Sequence, residues 1–203
     1  MARRTKEDAL ATRDGILDAA ERLFAQQGVS GTTLQHIASA AGVTRGAIYW
    51  HFEDKGALFN AMMERATTPL EGAMRLLDAS AEADPLHALR EYAVQVFRLT
   101  LNDAAARRAF EIATLKIEYV EELSAVRERK LRGRREWMTR AERIVQGGIK
   151  DGHLKADAKP PVVALGLYVL MEGLVRNWLI DPDYDLVGMG GEIIDMHLQC
   201  LRA

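Results

Sequence analysis

The chain has 203 residues, 48% hydrophobic and 28% charged, with 27 Lys and Arg against 29 Asp and Glu and a formal net charge of −2. That length can bury a sizeable core in one or two domains, and the proline-poor composition, rich in Ala, Leu, Arg and Glu, predicts an all-α protein. The charge balance excludes a polybasic nucleic-acid binder, so any DNA contact must come from a few locally placed cations.

The lone cysteine, Cys200, excludes an internal disulfide and a cysteine-only metal cluster. No signal-like segment or long uninterrupted apolar span is expected, and together these readings predict a cytoplasmic protein. In chain order, Arg3, Arg4 and Lys6 stand against Glu7 and Asp8. Such a terminus can fray, and its mobile cations can also lie along phosphates. Residues 10–27 predict a first helix with Ile16, Ala20, Leu23 and Phe24 on one face and Gly28 at its end.

Residues 32–55, TTLQHIASAAGVTRGAIYWHFEDK, predict two short helices around a tight turn. Thr32, with Gln35 three residues on, has capping-box spacing, and Leu34, Ile37, Ala38 and Ala41 form an apolar face. Gly42 fits a left-handed helix end, and Thr44 can cap the second helix. This is the pattern of a helix-turn-helix, whose second helix lies in the DNA major groove. Ile48 and Phe52 face inward, whereas Gly46, Ala47, Tyr49 and Trp50 point away. Thr44 and Arg45 sit at the helix start, where such motifs touch base edges, and Arg45 suits a two-pronged bond to guanine. Gly46 and Ala47 are small enough to let the helix sit deep. The bland alternative packs Tyr49 or Trp50 on a neighbouring helix.

A helix over about 56–80 carries Leu58, Phe59, Met62, Met63, Leu70, Met74 and Leu77, and would link both halves of the molecule. Pro85 opens the next helix, with Leu86, Leu89, Ala93, Val96, Phe97 and Thr100, and another runs from Ala104 to about Tyr119. Residues 121–152 form a long helix whose RERKLRGRRE run is a solvated face laced with ion pairs. After Pro160-Pro161, VVALGLYVLMEGLVRNWLI is nearly continuous apolar helix, and a last helix spans about 188–201. A helix apolar on most sides needs cover, from a second copy or from the chain's own core.

Catalytic chemistry finds no footing. GMGGE at 188–192 lacks a preceding strand and a following Lys-Ser/Thr, and His36, His51, His87, His153 and His197 show no metal-ligand spacing. No Ser or Cys lies in a nucleophile elbow. No catalytic residue, metal ligand or cofactor is expected.

The strings RRTKED, TRDGILDAAERLF and GVTRGAIYWHFEDK resemble the TetR family of bacterial repressors, in particular the AcrR-like branch that controls multidrug efflux pumps. The resemblance covers residues 3 to about 60, with anchors beyond at DPL (84–86) and EGL (172–174). It implies an N-terminal three-helix DNA-binding domain over 1–55 and a helical ligand-binding and dimerisation domain over 56–203. It also implies that Tyr49, His51 and Lys55 contact phosphates, as does Thr33 from the preceding helix, with Trp50 against the sugar-phosphate backbone. The implied partners are a palindromic double-stranded operator, a second copy joined through the two C-terminal helices, and a hydrophobic or cationic inducer.

Glu172 lies inside the last apolar run, where an unpaired carboxylate is costly. It can pair with Arg176, pair across the dimer, or face a cavity; AcrR-like proteins carry an acidic residue there, which favours the cavity. Tyr168, Met171 and Val175 fall on neighbouring faces, and Leu70, Met74, Leu89, Val96, Phe110, Thr114, Met138 and Ala141 could complete the walls. The rival reading is a helical adaptor that uses the Tyr49-Trp50 surface for protein contacts.

Overall fold

In a computed structural model, which describes residues 6–118 and 123–203, the chain forms ten helices among those residues. They are α1 (Lys6–Gln27), α2 (Leu34–Ala41), α3 (Arg45–His51), α4 (Lys55–Thr67), α5 (Pro69–Ser80), α6 (Pro85–Asn102), α7 (Ala104–Leu115), α8 (Ser124–Lys150), α9 (Pro160–Ile180) and α10 (Gly188–Gln199). The all-α expectation holds. The arm at Arg3 and Arg4, and the segment ends placed at Tyr119 and residue 121, lie outside the described residues.

Two compact units result: Met1–Ala66 with Arg108–Lys130, and Thr67–Arg107 with Leu131–Ala203. In the first, α1 buries Ile16, Leu17, Ala20 and Phe24 against Ile37, Ala38, Ile48 and Phe52 of the two short helices. Leu58, Phe59, Met62 and Met63 of α4, with Ala109 and Ile112 of α7, complete the core. Packing therefore groups α4 and part of α7 with the three N-terminal helices. At the heart of this unit a carboxylate is buried: Glu21 of α1, 5% exposed, accepts from Arg65 of α4 at 3.2 Å and Arg108 of α7 at 2.5 Å. Arg65 also pairs with Asp18 at 2.8 Å.

Two local expectations need correction. The cap of α2 is Thr33, not Thr32, and its box partner is His36, not Gln35. Thr32 is unavailable as a cap because it is buried and its hydroxyl donates to the Gly28 carbonyl at 2.8 Å. The single helix expected over 56–80 is broken into α4 and α5. Pro69 explains the break: it has no N–H to continue the ladder of α4, and it sits comfortably in the first turn of α5.

In the second unit Asp84 caps α6 by accepting from the His87 amide at 3.0 Å, and Pro85 occupies the first turn as expected. Leu86, Leu89, Ala93 and Phe97 of α6 join Trp137, Ala141 and Val145 of α8, Leu167 and Met171 of α9, and Ile194 and Leu198 of α10 in one core. α10 can lie close to α6 because a Cβ on Gly190 would come within 3.1 Å of the Phe97 ring. Arg90 fastens the same pair, with Nε 2.8 Å from an Asp195 oxygen. Arg107 closes the end of α6: its Nε donates to the Thr100 carbonyl at 3.1 Å, a second N–H donates to the Leu101 carbonyl, and its guanidinium lies 5.4 Å from the Trp178 ring.

By length and composition α9 could cross a membrane, which corrects the expectation that no such span exists. Its inner face, Val163, Ala164, Leu167, Met171, Val175 and Trp178, is packed into the core of this unit.

Removing the Glu21 carboxylate should loosen the first unit. Glu21→Ala is expected to cost about 2 kcal/mol in denaturant melts followed by circular dichroism, below the ~3–5 kcal/mol of a fully buried pair because both arginines keep some water. An unchanged midpoint would remove the cluster as a support.

Candidate nucleic-acid interface

α3 has seven residues, too few to be helical in water on its own. Three devices hold it. Gly42 turns the chain at φ 66°, Thr44 accepts from the Ala47 amide at 3.2 Å, and Ile48 and Phe52 are buried beneath. Register then fixes the outer face. Thr44, Arg45, Gly46, Tyr49 and Trp50 are exposed, and Ala47 and His51 are half-buried. Neither aromatic packs under a neighbouring helix: Tyr49 is 47% and Trp50 72% exposed. Trp50 stands edge-on to His51 at 4.5 Å, which steadies it without hiding it.

Arg45 is held before any partner arrives. Its guanidinium lies over the Tyr49 ring, 5.5 Å from the centroid, and donates to the Tyr49 hydroxyl at 3.0 Å. The two residues are one turn apart, so the contact aims a five-donor fork along the outer face of α3. Thr33 is exposed at the start of α2; its hydroxyl accepts from the His36 amide at 3.2 Å and can still donate outward.

Lys55 is placed otherwise than its expected phosphate contact requires. It is 5% exposed, and its Nζ donates to the Thr32 carbonyl at 3.1 Å. In this position it ties the start of α4 to the residue preceding the α2 cap, and so supports Thr33. Sequence spacing alone carried no signal for that inward turn. Nor did it suggest Arg13 of α1, whose guanidinium covers the Phe52 ring at 5.2 Å.

The residues expected around a ligand fall as follows. Leu89, Ala141, Met171 and Val175 are buried in the second unit's core, and Met74, Val96, Met138 and Tyr168 pack against it, half-buried. Leu70 is half-buried outside that cluster. Phe110 and Thr114 belong to the first unit, where Phe110 packs against the core. Glu172 is exposed on α9, about 100° round the helix from Met171. Its stripe also holds the exposed Leu165, Val169 and Arg176. A cleft of about 160 Å³ that sequence reasoning missed is lined by Asp84, His87, Arg90, Asp195, Gln199 and Arg202, but Arg90 and Asp195 spend their charges on each other. Among the described residues no three His, Cys, Asp or Glu are grouped to hold a metal.

Known proteins match this geometry along the whole chain. Residues 16–62 match the family described as bacterial regulatory proteins, tetR family, and residues 84–203 match the MAATS-type transcriptional repressor C-terminal region. The chain is 36% identical to the HTH-type transcriptional regulator TtgR of Pseudomonas putida, covering 100% of this chain and 97% of that protein. It is 38% identical to the regulator AcrR of Shigella flexneri, covering 98% and 95%. Among solved structures, NalD of Pseudomonas aeruginosa, the secondary repressor of the MexAB-OprM multidrug efflux pump, superposes with a TM-score of 0.88 at 33% identity over 97% of this chain and 98% of that one. The complex of SmeT with triclosan has a TM-score of 0.81 at 32% identity over 95% and 92%; SmeT is the repressor of the Stenotrophomonas maltophilia pump SmeDEF.

If the Arg45 fork reads a base, Arg45→Ala should cost about 1–3 kcal/mol of discrimination at one base-pair position. Duplex selection with both proteins measures this; an unchanged preference at every position would take that role away from Arg45.

Proposed function

Because the chain belongs to the tetR family of bacterial regulatory proteins, we propose that it is a ligand-responsive transcriptional repressor that binds a palindromic operator as a homodimer and governs a multidrug efflux system. The observation that carries this reading is the exposed outer face of α3, from Thr44 to His51, on a chain similar over its full length to efflux-pump repressors. The functional division falls at residues 55 and 56, with the DNA-contacting part before it and the ligand and dimer part after. Thr44, Arg45, Gly46 and Ala47 meet base edges, while Thr33, Tyr49, Trp50 and His51 meet the backbone and Lys55 braces them from beneath. The adaptor alternative is not favoured, since its Tyr49-Trp50 surface lies within the matched helix-turn-helix segment.

Dimerisation has a physical reason. Val162, Leu165, Val169 and Ile180 of α9, with Met189 and Met196 of α10, are exposed apolar residues, with Met196 at 73%. Apolar patches of this kind call for cover, and a second copy covers them symmetrically. One short α3 makes few contacts, whereas two read half-sites one DNA turn, about 34 Å, apart. Work on an operator places the protein in the cytoplasm, as a regulator and not an enzyme.

The inducer is a hydrophobic or amphipathic small molecule in the second part of the chain, a reading supported by the likeness to SmeT, which forms a complex with triclosan. Its walls are drawn from Leu70, Met74, Leu89, Val96, Met138, Ala141, Tyr168, Met171 and Val175. Glu172 either meets a cationic inducer or pairs across the dimer, and its exposed stripe makes this the assignment to test. Ligand weakens operator binding by linkage; a coupling of about 1–3 kcal/mol is a 5- to 150-fold loss.

A gel shift with the duplex upstream of its own gene should show retardation that triclosan or a related amphipath relieves and that falls steeply between 50 and 200 mM salt, roughly as the count of phosphate contacts dictates. No retardation on any duplex would end the repressor reading. Glu172→Gln should blunt release by cationic dyes while leaving the free protein dimeric and operator-bound. Loss of the dimer in sedimentation would assign Glu172 to the subunit interface instead.

A further inference from the structure

Trp137 on α8 is 4% exposed, and its indole N–H is buried with no hydrogen-bond partner among the described residues. Buried donors are nearly always satisfied, and one left unmade is a standing cost that a phenylalanine in the same slot would avoid. This fold can satisfy an indole: Trp178, in the same core, donates its Nε1–H to the Tyr184 carbonyl at 3.2 Å. It also satisfies the Thr100 and Tyr184 hydroxyls, through the Val96 and Leu174 carbonyls. The orphan at Trp137 is therefore local.

The surroundings say what could fill it. Trp137 stacks on Tyr92, with ring centroids 4.7 Å apart and planes 19° apart, so its N–H points out of the edge of an aromatic slab. Half-buried Met74, Tyr92, Val96, Met138 and Tyr168 pack against the same core and retain some accessible surface. Methionines at two of those positions can give way to a guest at small cost. Arg140 is close by: it donates to the Met74 sulfur at 3.5 Å and to Asp78 at 3.0 Å, and its positive charge acts on Tyr92, whose burial raises its pKa. Asp78 answers that charge, so what this wall offers a guest is a hydrogen-bond donor and not a counter-ion.

From this arrangement we propose that Trp137 is a specificity-determining anchor of the small-molecule site, donating its indole N–H to a neutral oxygen acceptor at the rim of a flat aromatic ligand. The proposal rests on the ligand-responsive reading above. It adds the chemical class preferred at this wall: uncharged aromatic ketones, ethers and phenols over pure hydrocarbons of the same shape.

The matched probes are 9-fluorenone and fluorene, which share a skeleton and differ at one carbonyl. The full-length protein should bind fluorenone more tightly, and Trp137→Phe should shrink that preference by about 5- to 10-fold, the worth of one hydrogen bond. Trp178→Phe, whose N–H is already engaged, should leave it unchanged. In protein labelled with 15N at the indoles, fluorenone but not fluorene should move the Trp137 N–H resonance downfield, a readout that does not depend on the variant folding. An unchanged preference in Trp137→Phe, or a Trp137 resonance indifferent to fluorenone, overturns the anchor. If neither probe binds but triclosan still releases the duplex, the anchor fails and the repressor reading stands. If triclosan too has no effect, both fall.

Discussion

Glu21 is the point on which the first unit turns. One carboxylate buried on α1 accepts from Arg65 of α4 and Arg108 of α7, so three helices that are distant in sequence share one charge. Its contribution differs in kind from that of the core. Burying side chains such as Ile16, Phe24 and Phe59 stabilises by about 1.5–3 kcal/mol each and supplies most of the driving force. Hydrocarbon contacts are tolerant of sliding, however, whereas a carboxylate held between two guanidinium groups accepts few geometries. The apolar core holds the helices together, and the ion cluster fixes how they are set. A seven-residue α3 has no stability of its own to correct an error in that setting.

The electrostatics of the outer face are correspondingly spare. With a net charge of −2, the chain cannot rely on a general attraction to phosphate. Lys55, one of the few cations in the motif, is turned inward to the Thr32 carbonyl, and the Arg45 fork rests on Tyr49. Few cations and two exposed aromatics make a surface whose affinity comes from placement. A second copy multiplies such placement, because two modest faces held at a fixed spacing bind as one.

Much of this was legible in the sequence, for definable reasons. Helical spacing located Ile16, Phe24, Ile37, Ile48 and Phe52 in the core, and Gly42 and Thr44 announced the turn and the cap, because local chemistry determines both. What escaped was decided by non-local competition. Thr32 lost the cap of α2 to Thr33 once its hydroxyl was claimed by Gly28. Lys55 looks like a surface cation until the carbonyl that receives it, 23 residues away, is known. Glu172 sits among apolar letters, yet the structure sets it on the exposed stripe of α9, a distinction that one helix turn of register controls. The break at Pro69 was available in the sequence and was outweighed by the apolar spacing that runs through it. The orphaned donor of Trp137 has no sequence signature at all, since an indole reads the same whether or not a carbonyl stands opposite.

Arg107 and Arg108 are neighbours on α7, and one peptide bond separates two allegiances. Arg107 is fastened to the end of α6 and to Trp178, within the unit that carries most of the residues expected around a ligand. Arg108 is fastened to Glu21, within the unit that carries α3. Where the chain passes from one unit to the other, each side of a single peptide bond thus carries its own mooring, and each unit keeps its own end of α7 tied down.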